Sequence, residues 1–69
     1  MNDELMKSII KNLVERADEA AGTGQGDFET GRRLAFIEVL SLIKGSIDTI
    51  SPEAPNDFGL GFDIYDRFA

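Results

Sequence analysis

The sequence predicts an all-α protein: a helical hairpin with an aromatic C-terminal tail, two copies of which pair into a four-helix bundle. Three observations carry that expectation. Two long stretches repeat apolar residues at helical spacing, a glycine-rich segment separates them, and each stretch shows more apolar surface than a lone hairpin can bury.

The first helix is read over residues 3–21. Leu5, Met6, Ile9, Ile10, Leu13, Val14, Ala17, Ala20 and Ala21 fall on one half of a wheel drawn at about 100° per residue, and the other half is polar. Asn2 or Asp3 is placed to cap the N-terminus, where the carboxylates of the first turn face the positive end of the helix dipole. Gly22 is placed to end the helix as a C′ residue.

Residues 22–27, Gly-Thr-Gly-Gln-Gly-Asp, have turn composition, and Asp27 is read as the cap of the next helix. The G-x-G-x-G spacing invites comparison with phosphate-binding loops. Those loops follow a strand and carry further fixed residues, whereas here a helix precedes and no lysine completes a Walker-type pattern. An interhelical turn is the better reading.

The second helix is read from residue 28 to about 49. Ser51-Pro52 sets its latest end, because the residue before proline avoids the α region, and Gly45 offers an earlier stop. Eight of the ten residues from Leu34 to Ile43 are apolar, which is too many for a helix with a solvent-facing side, so this helix should be central. Phe36, Leu40, Ile43, Ile47 and Ile50 alternate steps of four and three, an unbroken a/d seam. A second stripe runs through Phe28, Ala35, Val39 and Leu42. Helix 1 is double-striped as well, with Met6, Ile9, Leu13 and Ala20 beside Ile10, Val14, Ala17 and Ala21. The surplus calls either for a second hairpin, giving a homodimer with Phe36, Leu40, Ile43 and Ile47 partly at the interface, or for the tail to cover the second stripe.

The tail, residues 51–69, holds Pro52 and Pro55 and four of the chain's six aromatics: Phe58, Phe62, Tyr65 and Phe68. Two readings stand. In one the tail folds back as an extended stretch and a short final turn, seating its aromatics in grooves between the helices. In the other it is a motif for docking onto a partner.

Composition narrows the function. Sixty-nine residues make one domain with a small core, which disulfides, a metal, oligomerisation or dense helix packing commonly reinforce. Cysteine and histidine are both absent, which removes disulfides, iron–sulfur clusters, thiolate zinc and imidazole ligands. No cofactor or metal is expected. The net charge is −6 and no segment is basic, which disfavours direct contact with nucleic acid or an anionic membrane surface. The acidic start and the lack of a long apolar run argue against a signal peptide and a membrane span, and point to the cytoplasm.

The stretch Asp27-Phe-Glu-Thr-Gly-Arg-Arg-Leu-Ala-Phe-Ile-Glu-Val-Leu-Ser-Leu-Ile-Lys44 resembles a pattern in small uncharacterised helical proteins encoded by phages and conjugative elements of Gram-positive bacteria. There a Gly-Arg pair precedes an aromatic-Glu-Val-Leu-Ser-like run. The match spans about a quarter of the chain, with Ile37 where a second aromatic would stand. The resemblance implies an accessory protein of a bacterial mobile element, and no activity or functional residues.

Catalytic constellations are missing. No nucleophile-and-base arrangement can be drawn without His or Cys, and Glu38, the one acid inside the most apolar run, is read as an exposed glutamate on the outer face of helix 2. Asp57, Asp63 and Asp66 do not match the spacing of a calcium loop. Arg32 projects toward the apolar side at the start of helix 2, either pairing with a carboxylate or carbonyls at the end of helix 1 or contacting a partner. The chain therefore reads as a non-enzymatic protein–protein interaction or regulatory accessory protein with an unidentified protein partner. Its interface residues are expected among Arg32, Phe36, Leu40, Ile43, Ile47, Phe58, Phe62, Tyr65 and Phe68. The alternative is an acidic inhibitor that mimics nucleic acid on a basic DNA- or RNA-binding protein.

Overall fold

Helix α1, Asp3–Ala21, starts where Asn2 offers its side chain: Oδ1 accepts from the Leu5 N–H at 2.7 Å, satisfying one of the orphan donors of the first turn. In the computed structural model, which describes residues 2–24 and 26–69, α1 is followed by α2 (Asp27–Asp48), α3 (Ala54–Asp57) and α4 (Ile64–Phe68). The fold is all-α, a helical hairpin with the tail folded back on it.

Both long helices end by the same device. The hydroxyl of Thr23 donates to the Ala20 carbonyl at 2.7 Å, and that of Thr49 to the Ser46 carbonyl at 2.6 Å. A threonine just past each terminus thus serves one of the carbonyls that has no partner within its helix. Gly22 follows the last residue of α1, where the sequence places it, but without the left-handed backbone usual for a terminal glycine. Its φ is −85°, within right-handed space, so the terminus needs no glycine geometry. Asp27 lies inside α2 rather than capping it. Gly26 holds the cap position without a side-chain bond, and Asp27 and Glu29 place their charge in the first turn. Gly45 does not stop α2, which runs through it to Asp48.

Left-handed backbone occurs instead in the tail, where the sequence reading placed an extended stretch. Gly59 has φ 87° and closes α3 in a Schellman motif. The Leu60 N–H reaches the Pro55 carbonyl at 2.7 Å, and the Gly59 N–H reaches that of Asn56 at 3.1 Å. The turn drives Leu60 into the interior, where it is fully buried. Next, Gly61 passes so close to Asn56 that a Cβ there would lie 3.0 Å from the Asn56 Cα and collide with its side chain. α4 then starts on Asp63, whose carboxylate accepts from the Asp66 N–H at 3.0 Å.

The core gathers Ile10, Ala17 and Ala20 of α1, Ile37, Leu40 and Ile47 of α2, and Ala54, Leu60, Ile64 and Phe68 of the tail. Ala17 and Ala20 pack in the core near the turn, and the tail lies along the hairpin from Lys7 to Asp18 of α1. The tail packs across α2 through both α3 and α4, and α4 also touches α1. Among the described residues no helix is long and apolar enough to cross a membrane.

Candidate interaction surface

Covering by the tail is one-sided. It seats on the flank of the hairpin formed by Ile10, Val14 and Asp18 of α1 and Ile37 and Lys44 of α2, and polar contacts fasten it there. Arg67 makes a two-pronged contact with Asp18, Nη2 to Oδ2 at 2.9 Å and Nε to Oδ1 at 3.2 Å, while its guanidinium lies 4.5 Å from the Phe62 ring centre and 5.4 Å from that of Phe68. Lys44 donates to the Phe62 carbonyl. Phe62 meets Phe68 edge-to-face at 6.0 Å, and the Lys7 ammonium sits 5.7 Å from the Phe58 ring.

The opposite flank is open. Its α2 side is the stripe Phe28, Arg32, Ala35, Val39, Leu42 and Ser46, in steps of three and four that stack on one face, with Ile50 in the turn that follows. Its α1 side is Leu5, Ile9, Asn12 and Arg16. Phe28 is 80% exposed, Leu42 72% and Ile50 70%, with Leu5, Ile9 and Val39 also exposed. Between the helices Leu13, Arg32, Ala35, Phe36 and Val39 enclose a shallow apolar groove of about 160 Å³. That shared groove brings Leu13 of α1 against the Arg32–Val39 stretch of α2.

Charge on this flank is as uneven as apolarity. The α2 stripe contains no carboxylate and the α1 stripe only Glu19 at its end, although the protein carries 13 acidic residues against 7 basic ones. Arg16 and Arg32 stand on these stripes toward the turn, and Glu19 continues the α1 stripe one step beyond Arg16. The Arg32 guanidinium lies 5.8 Å from the Phe36 ring. Among the described residues neither arginine makes an ion pair. The carbonyl contact foreseen for Arg32 belongs to its neighbour: Arg33 Nη1 donates to the Gly24 carbonyl at 2.8 Å and Nη2 to Thr30 Oγ1 at 3.2 Å, tying the turn to α2.

The expected interface residues separate into three groups. Leu40, Ile47 and Phe68 lie in the protomer's own core, beyond reach of a partner. Phe36 and Ile43 are half-buried at the edge of the open flank, Phe36 beside Arg32. Phe58 and Phe62 are half-buried under the tail, and Tyr65 is exposed on the tail's far side. The open stripe of α2 is therefore the one through Phe28, Ala35, Val39 and Leu42 rather than the a/d seam. Sequence reasoning passed over Leu60 and Ile64 as anchors. Their signal was the four-residue spacing Leu60, Ile64, Phe68.

Glu38 is exposed. Asp63 is engaged as the α4 cap and Asp57 lies beside Phe58 at the tail groove; among the described residues no three His, Cys, Asp or Glu side chains assemble into a metal-binding group. No family model matches the chain, and no curated protein or solved structure matches it.

Proposed function

We propose that the chain is a non-enzymatic protein-interaction module, a regulatory or accessory protein that works in the cytoplasm as a homodimer, in the mobile-element setting that the resemblance of residues 27–44 implies. The observation that carries this reading is the open flank: the tail is already docked, yet the other side of both helices still presents an apolar face. Such a face costs solubility if left bare and is the usual mark of a surface that meets another protein. The half-buried Phe36 extends it into the groove between the helices.

The alternative, an acidic mimic of nucleic acid, has less in its favour. Asp18 is engaged by Arg67, and Lys7 and Lys11 interrupt the acidic row along the outer side of α1, so the carboxylates do not form a phosphate-like series. Light scattering at micromolar concentration tests the homodimer, with twice the 7.6 kDa chain mass as the expected result. Ile9→Lys with Val39→Lys should yield a monomer that keeps its helical circular dichroism, since neither side chain belongs to the core. A wild-type protein that stays monomeric at these concentrations would defeat the homodimer.

A further inference from the structure

We infer that the trough between α1 and the docked tail, on the flank away from the open one, is a binding site for a zwitterionic di- or tripeptide with apolar side chains. The site goes beyond the homodimer and stands whether or not the chain self-associates. Its first support is shape. The trough encloses about 400 Å³, within the roughly 300–1,000 Å³ of small-ligand pockets. Contacts between α1 and the tail bound it at both ends: the Lys7 ammonium lies 5.7 Å from the Phe58 ring, and Arg67 meets Asp18 at 2.9 Å. Lys7 and Asp18 stand about 16 Å apart along α1 at 1.5 Å per residue. Between those ends the floor is apolar, made by the buried Ile10 and the half-buried Val14 and Phe58. Gly59 adds bare backbone to the tail wall, with nothing within 4 Å of where its Cβ would stand.

The second support is charge. Lys7, Lys11 and Arg67, drawn from only 7 basic residues in the whole chain, line this one trough together with Glu15, Asp18 and Asp57. Arg67 and Asp18 satisfy each other through two hydrogen bonds. Among the described residues Lys11, Glu15 and Asp57 form no ion pair, and Lys7 reaches only the exposed Glu4, at 3.9 Å. Two ammonium groups and two carboxylates are left beside an apolar floor. A simple anion meets Glu15 and Asp57 there, and a simple cation meets the lysines, whereas a ligand with one charge of each sign can pair with both.

The third support is spacing. Lys11 and Lys7 precede Glu15 by one and two turns of α1, about 6 and 12 Å along the trough. An extended chain spans about 3.3–3.6 Å per residue, which sets the ammonium and carboxylate of a di- or tripeptide about 7–11 Å apart. The ammonium of such a peptide reaches Glu15 while its carboxylate reaches Lys11, or Lys7 in the longer case. A free amino acid carries both charges on one Cα and falls short. The peptide's side chains then lie over Ile10, Val14 and Phe58, and the ligand joins the tail to α1, favouring the docked tail over an undocked one.

Leucyl-leucine is the probe, titrated into the intact protein and followed by nuclear magnetic resonance. It should shift the amide resonances of Val14 and Gly59 along a saturating curve and leave those of Val39 and Leu42, on the open flank, in place. Acetylating its amine or amidating its carboxylate should each weaken binding about tenfold, the loss of one charge-assisted hydrogen bond. Lys11→Gln should weaken the free dipeptide to the same degree yet leave the amidated form unchanged, and Glu15→Gln should do the same for the free and acetylated forms. Both side chains are exposed, so either variant should keep the helical circular dichroism of the wild type. No saturable shift, shifts on the open flank instead, or blocked peptides that bind as tightly as the free one would overturn the site. A loss confined to the amidated peptide would also overturn it, leaving a trough for apolar carboxylates in place of one for zwitterions. None of these outcomes bears on the homodimer, which light scattering reads separately.

Discussion

Gly59 is the residue whose identity the backbone dictates most strongly. Its φ of 87° lies where an L side chain crowds its own carbonyl, at a cost of about 1–2 kcal/mol. Gly59→Ala should therefore lower stability by about that amount, read as a fall in the urea midpoint at unchanged slope. Gly45 supplies the contrast, being exposed in the last turn of α2 with nothing within 4 Å of a built Cβ. There the same substitution should stabilise by about 0.5–1 kcal/mol, because alanine gives up less backbone freedom in a helix. If both variants shifted the same way, the Schellman geometry assigned to residues 54–60 would be wrong. None of this was legible in composition alone. Gly59 is set apart by the apolar Leu60 that follows it, since the motif's C″ residue turns inward, whereas polar Lys44 and Ser46 flank Gly45.

At the scale of elements, the hairpin was legible and the tail was not, for a reason rooted in length. Nineteen and twenty-two residues give each long helix several repeats of its apolar pattern, and the glycines between them mark the turn. The tail helices, at four and five residues, are too short to show a period. Its aromatics drew attention as the anchors, but only Phe68 is fully buried, whereas the aliphatic Leu60 and Ile64 reach the core and Tyr65 remains 63% exposed. The open flank was half visible: both stripes of α2 could be traced, but their assignment depended on which side the tail would take. These placements give a graded expectation. Leu60→Ala should cost about 2–5 kcal/mol, enough to unfold much of so small a domain, while Tyr65→Ser should leave the denaturation midpoint nearly unchanged. Equal effects of the two would mean that the aromatics, and not the aliphatic row, hold the tail.

The whole molecule is a thin body of 37 × 19 × 14 Å, in which the hairpin carries a second layer on one side only. Its accessible surface is 4648 Å², above the roughly 4300 Å² that size scaling gives a folded monomer of this mass. Stable domains close a core between packed layers, so an uncovered layer ties the protomer's stability to whatever covers it. If a second copy is that cover, folding and association are linked, and the folded state gains on the unfolded one by mass action as concentration rises. A tenfold increase in protein concentration should then raise the thermal midpoint by about 3–6 °C, the shift expected for about 1.4 kcal/mol in a folding unit of two such chains. Ile9→Lys with Val39→Lys should abolish that dependence and lower the midpoint to a value that no longer moves with concentration. A wild-type midpoint that stayed fixed over two decades of concentration would instead mean that the hairpin and its docked tail are a sufficient core, with the open flank left free for a partner other than itself.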